Sequence, residues 1–220
     1  MTDKKFPLNN IKAAIFDMDG TMINNMPYHR RAWLGFSRKH GLSLTEEEFR
    51  EKFSGKKNKE ILEGLFRKAL SQEEAKAYTE EKEQVYRDLY ASFIKEIDGL
   101  SDLLRFLKSK GIKVAIATTA PEKNRSFALK KLGFEDTFDL VVGDEIVNKG
   151  KPDPEIYLIT ADKLQVEPEK CIVFEDSPPG VESAKRAGMK VIGILTTHSR
   201  EELQKADLVI NNYSELKLTK

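Results

Sequence analysis

Six short segments of the chain are almost continuously apolar, and longer stretches of mixed polarity separate them. An apolar run without polar alternation is typical of a strand that is buried on both faces of a sheet. Helical patterns lie between most of these segments, and this alternation predicts an α/β fold with a parallel sheet. The predicted strands are residues 12–16, 113–119, 139–142, 171–174, 190–195 and 207–210.

Four of the connecting segments have the apolar spacing of amphipathic helices. In residues 100–111, four leucines share one face and Gly111 ends the pattern. Residues 177–188 carry two prolines where a helix would start and Gly188 where it would end. The other two predicted helices are residues 125–133 and 156–164.

Residues 25–96 interrupt this alternation, because they contain helical spacing but no strand pattern. Thr45 and Glu48 have the spacing of a capping box at the start of a helix. We therefore predict two domains: an α/β core of residues 1–24 and 97–220, and an inserted all-helical domain of residues 25–96. The apolar residues with helical spacing are Ile61, Leu62, Leu65, Phe66, Ala69, Tyr78, Val85, Leu89 and Phe93.

Composition narrows the class of protein. The 37 lysines and arginines nearly balance the 36 aspartates and glutamates, which gives no electrostatic reason to expect nucleic acid or an anionic membrane as partner. No apolar run approaches the ~18 residues of a membrane span, and the polar first ten residues contain no secretory h-region. The single cysteine, Cys171, lies in an apolar run and cannot form a disulfide within the chain. We expect a cytoplasmic protein.

Polar residues follow several predicted strands at the ends where ligands bind in an open α/β sheet. If three acidic side chains from these strand ends converge on one point, they repel each other unless a cation lies between them. Carboxylate oxygens suit Mg²⁺, which retains waters and recruits substrate phosphate. These residues are Asp17 and Asp19 after the first strand, Thr118 and Thr119 after the second, Glu175 and Asp176 after the fourth, and Lys151 in the segment GKPDPEIY.

This set of side chains suits phosphoryl transfer. A carboxylate can attack phosphorus to form an aspartyl-phosphate, while cations and hydroxyls bind the phosphoryl oxygens. A second carboxylate two residues later can point the same way and act as general acid and base. The spacing of Asp17 and Asp19 meets this requirement.

The segments FDMDGT, ATT, GKPDPEIY and VFEDSPPGV resemble, in order and approximate spacing, the four motifs of the haloacid dehalogenase-like superfamily. The resemblance runs over nearly the full chain. It is closest to the subfamily with a helical cap after the first strand, which includes β-phosphoglucomutase and many small-molecule phosphatases. It implies a Rossmann-like, three-layer core of parallel strands and helices, with residues 25–96 as the cap.

The resemblance also implies roles for the motif residues. Asp17 would be the nucleophile and Asp19 the general acid and base. Thr118 and Lys151 would bind phosphate, and Thr119 is the alternative hydroxyl. Because the dehalogenases of this superfamily lack the second aspartate of the first motif, Asp19 indicates phosphate chemistry.

The magnesium ligands implied by the resemblance come from two motifs. They are the side chain of Asp17, the backbone carbonyl of Asp19 and the side chain of Asp176. Glu175 would assist, with its contact to the ion made through water. An alternative for Glu175 is a salt bridge within the protein.

The predicted cap contains candidate substrate contacts. His29 lies in NMPYHRRAW, which resembles the cap entry, and is either a cap-hinge histidine or a helix-surface residue. In GKKNKE, the candidates Lys56, Lys57 and Asn58 form either a solvated face or part of the substrate site. An arginine that binds the second phosphate in β-phosphoglucomutase corresponds to Asn58, and an amide lacks its charged fork.

We expect a phosphatase that acts on a small phosphorylated metabolite, with sugar phosphates as the default substrate class and a monomer as the default state. A β-phosphoglucomutase-type mutase and an inorganic pyrophosphatase are the alternatives. A non-catalytic relative would be expected to have lost a motif residue. This chain retains all four, namely Asp17, Asp19, Lys151 and Asp176.

Overall fold

In a computed structural model of the chain, which describes residues 4–52 and 57–219, six parallel strands form one sheet. The strands of the chain are β1 (Lys4–Pro7), β2 (Ala13–Phe16), β3 (Lys113–Ala117), β4 (Leu140–Val142), β5 (Cys171–Glu175), β6 (Lys190–Ile194), β7 (Leu208–Ile210) and β8 (Leu216–Thr219). The sheet order is β4-β3-β2-β5-β6-β7, so all six predicted strands are confirmed.

The central strands are buried on both faces, as their unbroken apolar sequences predict. Every residue of β2 is buried, between β3 on one side and β5 on the other. Phe16 pairs with Ile116 of β3 and with Phe174 of β5, and the Phe16 and Phe174 rings stack at 4.5 Å. This register brings the carboxyl ends of the three strands to one edge of the sheet.

Eight α-helices accompany the strands in the described part of the chain. They are α1 (Met26–Lys39), α2 (Glu46–Lys52), α3 (Asn58–Phe66), α4 (Gln72–Tyr90), α5 (Leu100–Ser109), α6 (Glu122–Leu132), α7 (Glu155–Leu164) and α8 (Pro178–Arg186). The four helices predicted between strands are confirmed as α5 to α8. Residues of α7 and α8, such as Ile156 and Val181, share a buried cluster with Ala13 and Ile15 of β2.

The chain divides into two compact units, one of Met1–Asn24 with Lys95–Lys220 and one of Asn25–Ile94. The second unit contains α1 to α4. Its predicted capping box is present, because Glu48 N–H donates to Thr45 Oγ1 at 3.1 Å and Thr45 N–H donates to Glu48 Oε2 at 3.0 Å. Trp33 is buried in the apolar cluster of this unit.

The buried face of α4 differs from the one suggested by its apolar spacing. Val85 and Leu89 are partly exposed, and Phe93 beyond the helix is 62% exposed. The buried side chains include Lys82 and Tyr86 instead. Lys82 is tolerated there because its charge is paired with a carboxylate within the same unit.

Two strands near the termini were not predicted. β1 pairs in parallel with β8, with Phe6 opposite Leu218, in a separate two-stranded sheet. Lys4 Nζ donates to the carbonyl oxygen of Val209 at 2.6 Å and ties this small sheet to β7. Each of these strands has only four residues, and so short an apolar pattern does not predict a strand when the pairing strand is not known.

In the part of the chain that the structure describes, no helix combines the length and apolarity required to cross a membrane. Cys171 is a free thiol, fully buried in β5. Its sulfur lies 3.6 Å from the carbonyl oxygen of Glu167. It therefore behaves as a small packing residue of the sheet.

Candidate active site

The turn after β2 places the first motif. Asp17 N–H donates to the carbonyl oxygen of Phe174 at 3.0 Å, so the strand ladder extends to the first aspartate. The chain then turns, with Gly20 at φ +79°. A Cβ atom at Gly20 would lie 2.1 Å from Asp176 Oδ2, so both the backbone angle and the close approach require glycine here.

Lys151 joins two of the predicted acidic residues. Its Nζ donates to Asp17 Oδ1 at 2.7 Å and also to Glu175 Oε1. The lysine side chain is only 6% exposed, and its Nζ lies 5.1 Å from the centre of the Tyr157 ring. Burial alone would lower the pKa of Lys151, but the carboxylates of Asp17 and Glu175 outweigh it and raise that pKa well above its usual range. Lys151 therefore stays charged.

Both oxygens of Glu175 accept hydrogen bonds from the protein. Oε1 accepts from Lys151 and from the hydroxyl of Tyr157 at 3.0 Å. Oε2 accepts from the backbone N–H groups of Asp176 and Ser177 and from the Ser177 hydroxyl. Burial opposes ionisation, yet Lys151 and these donors lower the pKa of Glu175 below its usual value. The salt-bridge alternative for Glu175 is thus present, and its water-mediated metal contact stays a prediction.

Asp176 lies beside this pair and is bound by two hydroxyls. Thr21 Oγ1 donates to Oδ1 at 3.0 Å, and Thr197 Oγ1 donates to Oδ2. Burial, and then the charge of Glu175, raise the pKa of Asp176 to about 7. The carboxylate is held in place, and among the described residues it forms no ion pair with a cation of its own.

The donor set fits a divalent cation. Oxygen atoms of Asp17, Glu175 and Asp176 lie within 4.8 Å of one another, and all three residues are buried. Burial raises the pKa of Asp17 well above its usual range, and Glu175 and Asp176 add to this effect although Lys151 opposes it. Three carboxylates that face one lysine need further positive charge, and hard oxygen ligands favour Mg²⁺.

The predicted phosphate-binding hydroxyls follow β3. Thr118 is buried, and its Oγ1 accepts the N–H of Ala120 at 3.1 Å. Its own N–H donates to the carbonyl oxygen of Val142 at 3.0 Å. Thr119 is half-buried. The hydroxyl proton of Thr118 can still be donated to a phosphate oxygen, whereas its lone pair orders the loop.

Arg125 on α6 supports this loop and was not predicted. Its Nη1 donates to the carbonyl oxygen of Ala120 at 2.8 Å, and its guanidinium binds both oxygens of Glu145 at 2.8 and 3.0 Å. The arginine side chain is 8% exposed. The sequence around Arg125 shows only a helical pattern, which does not indicate an ion-pair partner 20 residues away.

Thr197 and His198 were also missed, although a signal existed. They lie just after β6, at the same end of the sheet as the predicted residues. His198 is half-buried, and its Nδ1 lies 3.0 Å from the carbonyl oxygen of Asp176. The rule that identified the other strand-end residues applies to this segment as well.

The predicted cap residues lie in the helical unit. His29 is buried on α1, stacked on Tyr86 at 3.7 Å and 2.9 Å from Lys82 Nζ, so the helix-surface interpretation is wrong. Asn58 Nδ2 donates to Glu83 Oε1 at 2.8 Å. Lys57 precedes α3, and its backbone N–H donates to a glutamate side chain. Lys56 lies outside the described residues.

Comparisons with known proteins agree with the motif analysis. The family model of the haloacid dehalogenase-like hydrolases matches residues 11–188. A protein of Thermotoga maritima named phosphorylated carbohydrates phosphatase is 39% identical over 186 residues, which are 83% of this chain and 84% of that protein. The match to the family model spans the chain from β2 to α8.

Two solved structures resemble the whole fold. A hydrolase of the same superfamily, family IA variant 3, from Entamoeba histolytica has a TM-score of 0.85 and 37% identity, with 94% of this chain and 96% of that chain covered. A β-phosphoglucomutase from Clostridium difficile has a TM-score of 0.83 and 32% identity, with 94% and 93% covered. The similarity therefore includes both compact units.

Proposed function

The chain belongs to the haloacid dehalogenase-like hydrolases, and we propose that it is a Mg²⁺-dependent phosphatase of a small phosphorylated metabolite. The observation that carries this proposal is the contact of Lys151 with Asp17 and Glu175, beside the buried carboxylate of Asp176. The proposed nucleophile, phosphate-binding cation and metal-binding carboxylate are therefore neighbours at the strand ends. Phosphoryl transfer requires these three functions in one place.

The proposed reaction has two steps. One carboxylate oxygen of Asp17 attacks phosphorus, the ester P–O bond breaks, and Asp19 gives its proton to the leaving oxygen. Asp19 then takes a proton from water, which attacks the aspartyl-phosphate and releases inorganic phosphate. Lys151 and the Thr118 hydroxyl bind the phosphoryl oxygens throughout.

The residues that would hold Mg²⁺ are Asp17, the backbone carbonyl of Asp19, and Asp176. When bound, the ion neutralises charge on the transferring phosphoryl group. Glu175 would assist without binding the ion directly, since its oxygens already accept hydrogen bonds from Lys151 and from the backbone N–H groups that follow it. Its main contribution is to hold Lys151 against Asp17.

We propose a phosphorylated carbohydrate as substrate, by analogy with the relative from Thermotoga maritima. The position that matches the mutase arginine supports hydrolysis. Asn58 is a neutral amide, and it donates to the carboxylate of Glu83. This pair offers no charged fork for a second phosphate. On the family resemblance, His29, Lys57 and Asn58 remain proposed substrate contacts.

A phosphosugar mutase is the second candidate function. The similarity to β-phosphoglucomutase at 32% identity over most of both chains favours it. A mutase must retain a doubly phosphorylated intermediate and exclude water. Lysines near Asn58 would then have to replace the arginine as point charges.

The deciding experiment measures phosphate release with Mg²⁺ across sugar phosphates, nucleotides, pyrophosphate and β-glucose 1-phosphate. The β-glucose 1-phosphate sample is also followed for glucose 6-phosphate. We expect phosphate release from one class of sugar phosphate. Formation of glucose 6-phosphate without phosphate release would instead establish the mutase, and inactivity on every compound would contradict both.

A further inference from the structure

The carboxylate of Asp176 is held on both sides by hydroxyl groups from distant parts of the chain. Thr21, in the turn after β2, donates to Oδ1 at 3.0 Å. Thr197, in the loop after β6, donates to Oδ2. Asp176 is only 5% exposed, and the backbone of Gly20 closes against Oδ2. Each carboxylate oxygen therefore accepts a hydrogen bond from one hydroxyl group, and the carboxylate has little room to rotate.

The loop after β6 is itself fixed to the site. Thr196 Oγ1 donates to the carbonyl oxygen of Gly20. His198 Nδ1 lies 2.8 Å from Thr197 Oγ1 and 3.0 Å from the carbonyl oxygen of Asp176. Thr197 Oγ1 also lies 3.0 Å from the carbonyl oxygen of Asp176. A carbonyl and an ionised carboxylate only accept hydrogen bonds, so the single hydroxyl proton of Thr197 is directed to Asp176 and its lone pairs face His198.

These contacts are of the kind that orient a metal-binding carboxylate through hydrogen bonds from neighbouring groups. Carboxylates that bind metals are usually oriented by hydrogen bonds from neighbouring groups, and loss of such a partner typically weakens metal affinity about 10- to 100-fold. Thr197 contacts Asp176 with its hydroxyl but contributes none of the acidic oxygens of the cluster. Its position suits orientation of the ligand rather than coordination.

We propose that Thr197 is a positioning residue that orients Asp176 for Mg²⁺ binding. This inference rests on the proposed magnesium site. It extends the site to the loop after β6, which none of the four motifs includes. Thr197 acts with Thr21, so that the two hydroxyls set the direction of the carboxylate before the ion arrives.

The test is Mg²⁺ affinity of the substrate-free protein, measured by isothermal titration calorimetry. Thr197→Val removes the hydroxyl at nearly constant shape, and we expect an affinity about 10- to 100-fold weaker. Thr197→Ser keeps the donor and should bind within about 3-fold of the wild type, below the ~10-fold lower limit of that effect. In an Asp176→Asn background, Thr197→Val should cause no further loss, because its target is already removed.

Thr160→Val is the matched control. Its hydroxyl is also buried in the same unit, but it donates to the carbonyl oxygen of Ile156 within α7 at 2.7 Å. We expect wild-type Mg²⁺ affinity for this variant. If Thr197→Val does not fold, as judged by circular dichroism, Thr197→Ala replaces it with the same expectation.

Two outcomes would overturn the inference in different ways. Folded Thr197→Val protein with wild-type Mg²⁺ affinity would show that Thr197 does not position the ligand, and would leave the proposed phosphatase intact. Wild-type protein that binds no Mg²⁺ would overturn the metal site together with this inference.

Discussion

At the residue scale, the proposed chemistry depends on buried side chains whose opposite charges compensate one another. Lys151 contacts the carboxylates of Asp17 and Glu175 simultaneously, and Asp176 completes the acidic cluster. The lysine pairs with the proposed nucleophile, Asp17, while donors around Glu175 keep that second carboxylate ionised and in place. Each of these residues therefore has a distinct role, and single substitutions can separate them.

Asp17→Asn should abolish turnover and leave the fold intact. The amide has the same shape but is not a nucleophile toward phosphorus. It also removes one of three neighbouring buried carboxylates, while Lys151 retains its contact with Glu175. Phosphate release and thermal unfolding are measured on the same sample. A variant that is unstable yet has unchanged specific activity would disprove the assignment of Asp17.

Asp19→Ala should slow turnover at least ~100-fold, the usual scale for loss of a general acid and base. Asp19 is half-buried two residues after the proposed nucleophile, and the variant retains Asp17 and Lys151. Steady-state phosphate release measures the effect. Asp136→Ala, at an exposed position of the same unit, is the control and should retain the wild-type rate. A near-normal rate for Asp19→Ala would remove Asp19 from the mechanism.

At the element scale, the site forms because neighbouring strands end at one edge. β2, β3 and β5 are adjacent and in register, so the segments that follow them lie close together. The segment after β3 needs additional support, and α6 provides it through Arg125. This helix binds the loop after β3 and the segment after β4 with one guanidinium.

Arg125→Met should destabilise the fold and weaken phosphate binding. The variant leaves the carbonyl of Ala120 without its side-chain donor and removes charge-assisted bonds, each worth ~1.5–3 kcal/mol. We expect a lower free energy of unfolding and a higher KM, with a smaller change in kcat. Denaturant unfolding and inhibition by inorganic phosphate measure the two effects.

Lys108→Met is the control for Arg125→Met. The exposed Lys108 also donates to a backbone carbonyl, that of Thr137 at 2.7 Å, but on the surface of the same unit. It should leave KM unchanged. An Arg125→Met variant with wild-type KM and wild-type phosphate inhibition would show that the loop holds its shape without the guanidinium.

At the scale of the whole molecule, we expect the acidic cluster to link stability to pH and, through the proposed Mg²⁺ site, to the metal. Without the ion, burial and Glu175 raise the pKa of Asp176 to about 7, above the value of about 4 expected in the unfolded chain. The folded protein therefore retains a proton that the unfolded chain releases. This contribution to stability is lost as pH rises from about 4 through about 7.

Thermal stabilisation by Mg²⁺ should accordingly be larger at pH 8 than at pH 6. Below pH 7 the ion must displace the proton of Asp176, which weakens its apparent affinity by about tenfold for each pH unit. The measurement is the melting temperature with Mg²⁺ and with EDTA at both pH values. An Mg²⁺ effect of equal size at pH 6 and pH 8 would contradict this linkage.

The sequence by itself determined most elements of the α/β core and the residues of the family motifs. Unbroken apolar runs identified all six strands of the main sheet, because burial on both faces leaves no polar position. The sequence also predicted the family of the chain, the strand-end aspartates and Lys151, because motif residues lie at fixed positions relative to those apolar runs. The capping box at Thr45 was predictable for the same reason, since both partners lie within four residues.

The tertiary structure alone decided which of these groups meet. Lys151 and Asp17 are separated by 134 positions, and Thr197 and Asp176 by 21, so their contacts depend on strand order and loop placement. The same holds for the pairing of β1 with β8 and for the buried Lys82 on α4, whose ion pair with Glu83 lies in the same unit. Apolar periodicity records whether a position is buried, whereas a hydrogen bond or ion pair depends on a partner that the local pattern does not contain.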